Sequence, residues 1–254
     1  KKKLYYLNSK FSISIALIVV LFFSYFFIPA FYNKDEIKKI LIDQISDQYD
    51  IDIKFDKKIN YGLFPQPYFY TKDLNILFKD DILGKSKYVK FYISFNNFFS
   101  LKKLKVKDLI FKNTEFNTNL DNIYFFKKIL NNLKMENKVK FKKNKLFFRD
   151  SSEDLLFLSK IQKINFIYDN KNLLQKLNSE FEIFNIPLKL SVSRNDFDEK
   201  KLIELSSRKI RLDTKTSIEH NGNDINGFFD ILFFNKKNSF NYKIKNKTLN
   251  FLSK

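Results

Sequence analysis

The sequence predicts a mainly β protein with a few helices, of α+β class, standing behind a membrane-spanning helix. Three features lead there. An uncharged apolar run fills Phe11–Phe31. Downstream, segment after segment alternates apolar with polar residues, the period of a strand with one dry face and one wet face. The connections between these segments are short and polar, as in antiparallel meanders rather than crossovers through helices.

The apolar run, FSISIALIVVLFFSYFFIPAF, has no polar face, as a helix buried in a soluble core normally would. Its twenty-one residues, at about 1.5 Å per residue, span about 30 Å, the thickness of a bilayer's hydrocarbon core. Lys1, Lys2, Lys3 and Lys10 precede it, and Tyr5, Tyr6, Tyr25 and Tyr32 lie near its ends. The positive-inside rule then keeps the basic head in the cytoplasm and exports everything after about Asn33. A cleaved signal peptide is the competing reading, but its apolar region usually covers about 7–15 residues and ends at a small-x-small site. Here only Pro29-Ala30 hints at cleavage, ahead of bulky Phe31 and Tyr32, which favours a retained anchor. The organisation that follows is a cytoplasmic head over residues 1–10, a transmembrane helix over 11–31, and one exported β-rich domain over 32–254. Gly and Pro number four each, and no linker interrupts that domain.

After the anchor, Asn33–Tyr49 reads as an amphipathic helix. Ile37, Ile40, Leu41 and Ile45 form its stripe, Asp35 and Glu36 sit in the first turn where the helix dipole favours acids, and Asn33 is the expected N-cap. Strands follow. Ile51, Ile53 and Phe55 alternate with acids and a lysine; Val89, Phe91, Ile93 and Phe95 alternate with Lys90, Tyr92 and Ser94. The same period returns at Leu188–Val192, Ile210–Ile218 and Phe240–Ile244. Connections are expected at Asp80–Gly84, Arg194–Asp198, Asn221–Asn226 and Asn235–Ser239. A second helix is expected over Asp121–Leu133, with Ile123, Phe126, Ile129, Leu130 and Leu133 as its stripe, and a helical turn within Asn97–Lys103.

Composition closes off several functions. Cysteine is absent and His220 is the only histidine, so disulfides, zinc-thiolate sites and multi-histidine metal sites are excluded. No phosphate-binding glycine loop or nucleophile elbow occurs, and the Asn221–Asn226 segment lacks the final glutamate of a calcium loop. Glu153-Asp154 and Asp198-Glu199 sit in turn-like surroundings, and His220 sits at a strand end. No catalytic residue, metal or cofactor is therefore expected, and the chain reads as a non-enzyme. The net charge is +19, of which four charges precede the anchor. The lysines are spread evenly among Asn, Ile, Phe and Tyr, a set favoured by AT-rich codons. They do not gather on one face as nucleic-acid binding requires, and no nucleic-acid partner is expected.

One stretch is more specific. From Tyr49 the chain runs YDIDIKFDKKINYGLFPQPYFYTKDLNILFKDD and then, after Gly84, KSKYVKFYISFNNFFSLKKLKVKDLIFKNTEFN. A strand, a bulky aromatic-Pro turn and a Leu-x-Ile segment are followed by a strand, a Phe-Phe-Ser-Leu turn and a further strand. In order and spacing this resembles the N-terminal region of the AsmA family of Gram-negative bacteria, over about Lys1–Asn119. The resemblance implies an elongated, curved sheet, open along one side, with a hydrophobic groove. It implies anchoring in the bacterial inner membrane with the bulk of the chain in the periplasm. It also implies an association with phospholipid movement and outer-membrane biogenesis.

The residues themselves leave two interiors open. There are thirty-two phenylalanines, no tryptophan and few helices to cover the apolar strand faces, so those faces close on each other as a dry sandwich or around a ligand. In a groove, acyl chains would lie along Ile53, Phe55, Val89, Phe91, Ile93, Phe95, Val106, Leu188, Leu190 and Leu212, with rim lysines meeting headgroup phosphates. About twelve strands at about 4.8 Å give a body about 60 Å long. The expected partners are phospholipid and the inner membrane. The alternative function is a periplasmic scaffold that assists outer-membrane assembly proteins without transferring lipid.

Overall fold

The computed structural model describes residues 9–96, 98–132, 138–169, 171–195, 200–222, 224–245 and 248–253. Helix α1 (Ser9–Phe27) continues into a 3-10 turn at Ile28–Phe31. The span Phe11–Phe31 is long and apolar enough to cross a membrane, and its apolar window is not buried against the rest of the protein.

Helix α2 (Lys34–Tyr49) follows at once. Asn33 caps it, its side-chain oxygen accepting from the backbone N–H of Asp35 (2.9 Å) and Glu36 (3.3 Å). At the other end Asp50 adopts a left-handed conformation and its N–H returns to the Ser46 carbonyl. The buried stripe is Ile37, Leu41, Ile45 and Tyr49, one residue per turn, while Ile40 stands at its edge, half-buried.

The strands are β1 (Asp52–Phe55), β2 (Asn60–Gly62), β3 (Tyr68–Thr71), β4 (Leu74–Phe78), β5 (Asp81–Ile93) and β6 (Val106–Thr118). Helix α3 (Tyr124–Asn132) comes next, then β7 (Lys138–Arg149), β8 (Leu155–Asp169), β9 (Leu174–Ile183) and β10 (Ile186–Asn195). The chain continues through β11 (Lys201–Ser207), β12 (Leu212–Asn221), β13 (Asp224–Phe233), β14 (Lys236–Lys245) and β15 (Thr248–Ser253). Together they form one long, curved, open sheet. Its order is β1-β4-β5 and then every strand in sequence to β15, with β3 sharing an edge of β5 and β2 paired to β3.

Three local expectations are corrected. The sheet is not a pure meander, because β6 and β7 are parallel and α3 lies in the crossover between them. The segment from Thr118 to Lys138 is long enough for that return, which a hairpin never needs. The connections are also tighter than expected. Phe78 pairs with Asp81, Ile183 with Ile186 and Phe233 with Lys236, so the turns are the two-residue pairs Lys79-Asp80, Phe184-Asn185 and Phe234-Asn235. All six of those residues have positive φ, the geometry that matches the strands' twist. Asp81–Gly84 and Asn226 are accordingly strand residues, whereas the part of the Arg194–Asp198 connection beyond Asn195 lies outside the described residues. Among the described side chains of α3, Phe125 and Ile129 are buried and Phe126 is half-buried; Ile123 precedes the helix and is exposed, and the Leu130 side chain and Leu133 lie outside what is described.

The core sits between the first nine strands and the two helices. Phe111 stacks on Phe141 (centroids 4.7 Å apart, planes at 9°), and Phe116 meets Phe125, Phe126 and Phe141. The Tyr49 hydroxyl donates to the Lys107 carbonyl at 3.0 Å. Gln44 accepts from Val106 N–H at 2.9 Å and donates to the Leu104 carbonyl. These bonds satisfy the entry to β6 and lock α2 down.

Candidate functional site

Strand pairing carries the apolar face across the whole sheet in continuous rows. One row runs Phe91, Leu109, Val139, Phe166, Leu177, Val192, Ile203, Thr216, Phe229 and Phe240. A neighbouring row runs Val89, Phe111, Phe141, Ile164, Ser179, Leu190, Leu205, Thr214 and Ile231. Burial changes along them. Phe91, Leu109, Val139 and Phe166 are fully buried, Leu177 in β9 is nearly so, and Val192, Ile203 and Phe229 are only half-buried. The boundary follows the helices, for α2 packs on β1 and β6 while α3 packs on β9.

The ten residues expected to line a groove therefore divide. Ile53, Val89, Phe91, Ile93 and Val106 lie in the closed core beneath α2 and α3, where a ligand on the face meets a helix first. Phe55 packs at the edge of that core, its ring 5.7 Å from Phe91. Phe95 is outside the sheet, in the segment after β5, with its ring 5.9 Å from Phe26 of the apolar helix. Leu188, Leu190 and Leu212 stand on the half-buried part of the face.

Beyond them the uncovered face ends in an apolar trough of about 720 Å³ lined by Thr216, Phe229, Phe240, Tyr242, Ile244, Leu249 and Phe251. That volume falls in the range of small-molecule sites, roughly 300–1,000 Å³. Glycine shapes its floor. A Cβ at Gly227 would lie 2.6 Å from the Tyr242 ring and 2.0 Å from the Ser217 carbonyl. With none there, Tyr242 crosses β13 and its hydroxyl donates to Ser217 O at 2.7 Å. The period-two pattern of Phe240, Tyr242 and Ile244 announces this face in the sequence; nothing there announces that, among the described residues, no helix covers it.

The opposite face is polar. A second cavity of about 720 Å³ is lined in part by Gln162, Glu180, Glu182, Lys189, Arg211 and Asp213, and its Glu180 is ion-paired across the strands to Lys163 at 2.9 Å and to Lys189 at 3.9 Å. The Lys163 hydrogen bond holds the Glu180 carboxyl below the usual carboxylate range, which suits a solvated ladder and not an acid catalyst. Nearer the apolar helix, Lys90 lies 3.8 Å from the centre of the Tyr68 ring, with Tyr88 and Tyr92 about it. Sequence reading missed this cluster, although its signal is visible: Tyr68, Tyr88, Lys90 and Tyr92 hold the alternate positions to Phe69, Val89 and Phe91. Its own lysine fills it. Among the described residues no group of three or more His, Asp or Glu side chains converges as a metal site, and His220 is exposed near the end of β12. No protein-family model and no curated protein matches the sequence.

Proposed function

We propose that the chain is an AsmA-type protein of the bacterial inner membrane. In this reading its N-terminal helix anchors it, its β domain lies in the periplasm, and its uncovered apolar face holds phospholipid acyl chains in support of outer-membrane biogenesis. The observation that carries the reading is the apolar row that leaves the core at Leu177 and continues uncovered to Phe240. An apolar face this long is unfavourable in water and suits a greasy ligand. From β10 to β15 it extends about 24 Å at about 4.8 Å per strand. One leaflet's acyl region is about 15 Å deep, half of the hydrocarbon core, so a chain laid across the strands fits. Desorbing a lipid needs only an apolar path, consistent with a site of aromatic and aliphatic residues.

Because Phe91 and Ile93 belong to the closed core, the informative substitutions lie further along. Native mass spectrometry of the detergent-extracted protein is expected to retain phospholipid, and Phe229→Asp or Phe240→Asp to lose it while the fold, followed by circular dichroism, persists. A native protein free of lipid, or variants that keep it, would count against the reading and return the balance to a scaffold without transfer.

A further inference from the structure

The β domain is fastened to the end of the apolar helix instead of hanging from it. The Tyr25 hydroxyl donates to the Phe95 carbonyl at 2.8 Å and accepts from Phe98 N–H at 3.2 Å, and the Tyr25 and Phe98 rings stack 5.1 Å apart. Tyr32 donates to the Phe98 carbonyl, and Tyr61 to the carbonyl of Phe26. Tyr25 and Phe26 belong to the span itself, at least five residues before its end at Phe31, which is roughly 8 Å of helix.

Whatever packs on Tyr25 and Phe26 must therefore sit at that depth. Phe99 does so, with its ring 5.2 Å from Tyr25 while 80% of it remains exposed. The turn between β2 and β3 lies at the same end of the sheet, because Ile93 N–H at the end of β5 donates to the Pro67 carbonyl and Tyr61 of β2 reaches Phe26, and this turn carries Phe64, 75% exposed. Phe31, at the end of the span, is exposed as well. Large apolar side chains on loop tips are unfavourable in water, and here they cluster where the helix leaves the membrane. Lys102 and Lys103, exposed just after Phe99, supply cations at the level of lipid phosphates.

We infer that Phe64, Phe95 and Phe99 form a collar that inserts into the bilayer's headgroup–acyl boundary and seats the sheet directly on the membrane. The inference rests on Phe11–Phe31 spanning that bilayer. Its partner is the lipid surface, to which the collar is continuous through α1; a protein partner at the same loops is the competing occupant.

The chain has no tryptophan, so one introduced tryptophan reports its own surroundings. The full chain is reconstituted in phosphatidylcholine–phosphatidylglycerol vesicles, with or without bromine high on the acyl chains, as four variants: F99W, F64W, F184W and I18W. Phe184 is also exposed but sits at the opposite strand ends, and Ile18 lies within the span. The expected result is blue-shifted emission and roughly twofold quenching by bromolipid for F99W and F64W, as for aromatic residues at the membrane boundary, and neither for F184W. If F99W and F64W behave like F184W while I18W is quenched, the collar is overturned and the anchor stands. An unquenched I18W overturns both. The spectrum of each variant in detergent, compared with its urea-unfolded form, confirms that the reporter sits in folded protein.

Discussion

The two ends of the apolar face are built alike and end differently. From β5 to β9 the face presents Phe91, Phe111, Phe141 and Phe166, all fully buried. From β10 to β15 the same rows present Val192, Ile203, Phe229 and Phe240, half-buried or more exposed. Strand chemistry does not distinguish them; coverage does. Complete burial of such side chains stabilises by about 1.5–3 kcal/mol each, so the first region holds the fold together, while the second leaves much of that energy unclaimed and available to a ligand.

The largest expected contrast comes from matched truncations. Phe141→Ala should destabilise the protein by roughly 3–5 kcal/mol, and Phe240→Ala by within about 0.5 kcal/mol, as for surface positions. Urea denaturation in detergent measures both, and equal losses would break the division into core and trough. Next, Gly227→Val should destabilise by roughly 1–3 kcal/mol through overpacking against Tyr242 and the Ser217 carbonyl. Hydrogen exchange should quicken in β12–β14 and stay unchanged in β5–β8; a uniform increase would mean that the two regions unfold as one unit.

A third change probes the lid of the covered region. Tyr49→Phe leaves the Lys107 carbonyl without its donor and should lower stability by about 1 kcal/mol. Burial first, and the nearby Asp108 second, push the Tyr49 hydroxyl's pKa up. The folded state then keeps its proton where the unfolded tyrosine loses it, so this contribution is intact below about pH 10 and declines above it. Wild-type stability should fall more steeply than the variant's in alkaline denaturation series; parallel curves would remove Tyr49 from the account. The most local effect is that of Asn33→Ala, about 1 kcal/mol or less for loss of the α2 cap, read as loosened exchange in the first turn of α2 alone.

Much of this was legible from residue order. Asn33, Asp35 and Glu36 announced the start of α2, and Ile37, Leu41 and Ile45 its buried stripe. Alternation at Leu188–Val192 and Phe240–Ile244 announced strands β10 and β14. Other features were hidden for definite reasons. Asn113 and Lys143 take positive φ, and each shifts the alternation by one residue. Phe111 and Thr114 on β6, like Phe141 and Asn144 on β7, are therefore buried three positions apart. Thr114 N–H then donates to the Asn144 side chain at 2.9 Å and its hydroxyl to Ser86 at 3.1 Å, a buried polar rung that a period of two conceals. Turns at Phe184-Asn185 and Phe234-Asn235 lack the Asn-Gly or Asp-Gly signature, so alternation alone starts the following strands late, at Leu188 and Phe240 instead of Ile186 and Lys236.

By itself the sequence determined the apolar N-terminal helix, the capped helix behind it and the alternating strands, because each follows from interactions within a few residues. Only the tertiary structure decided that β6 and β7 run parallel around α3, that the cover ends at β9, and that the apolar face continues bare to β15. Those outcomes depend on which elements meet across long separations in the chain, and a repeating pattern of apolar residues is the same whether a helix, a lipid or water lies against it.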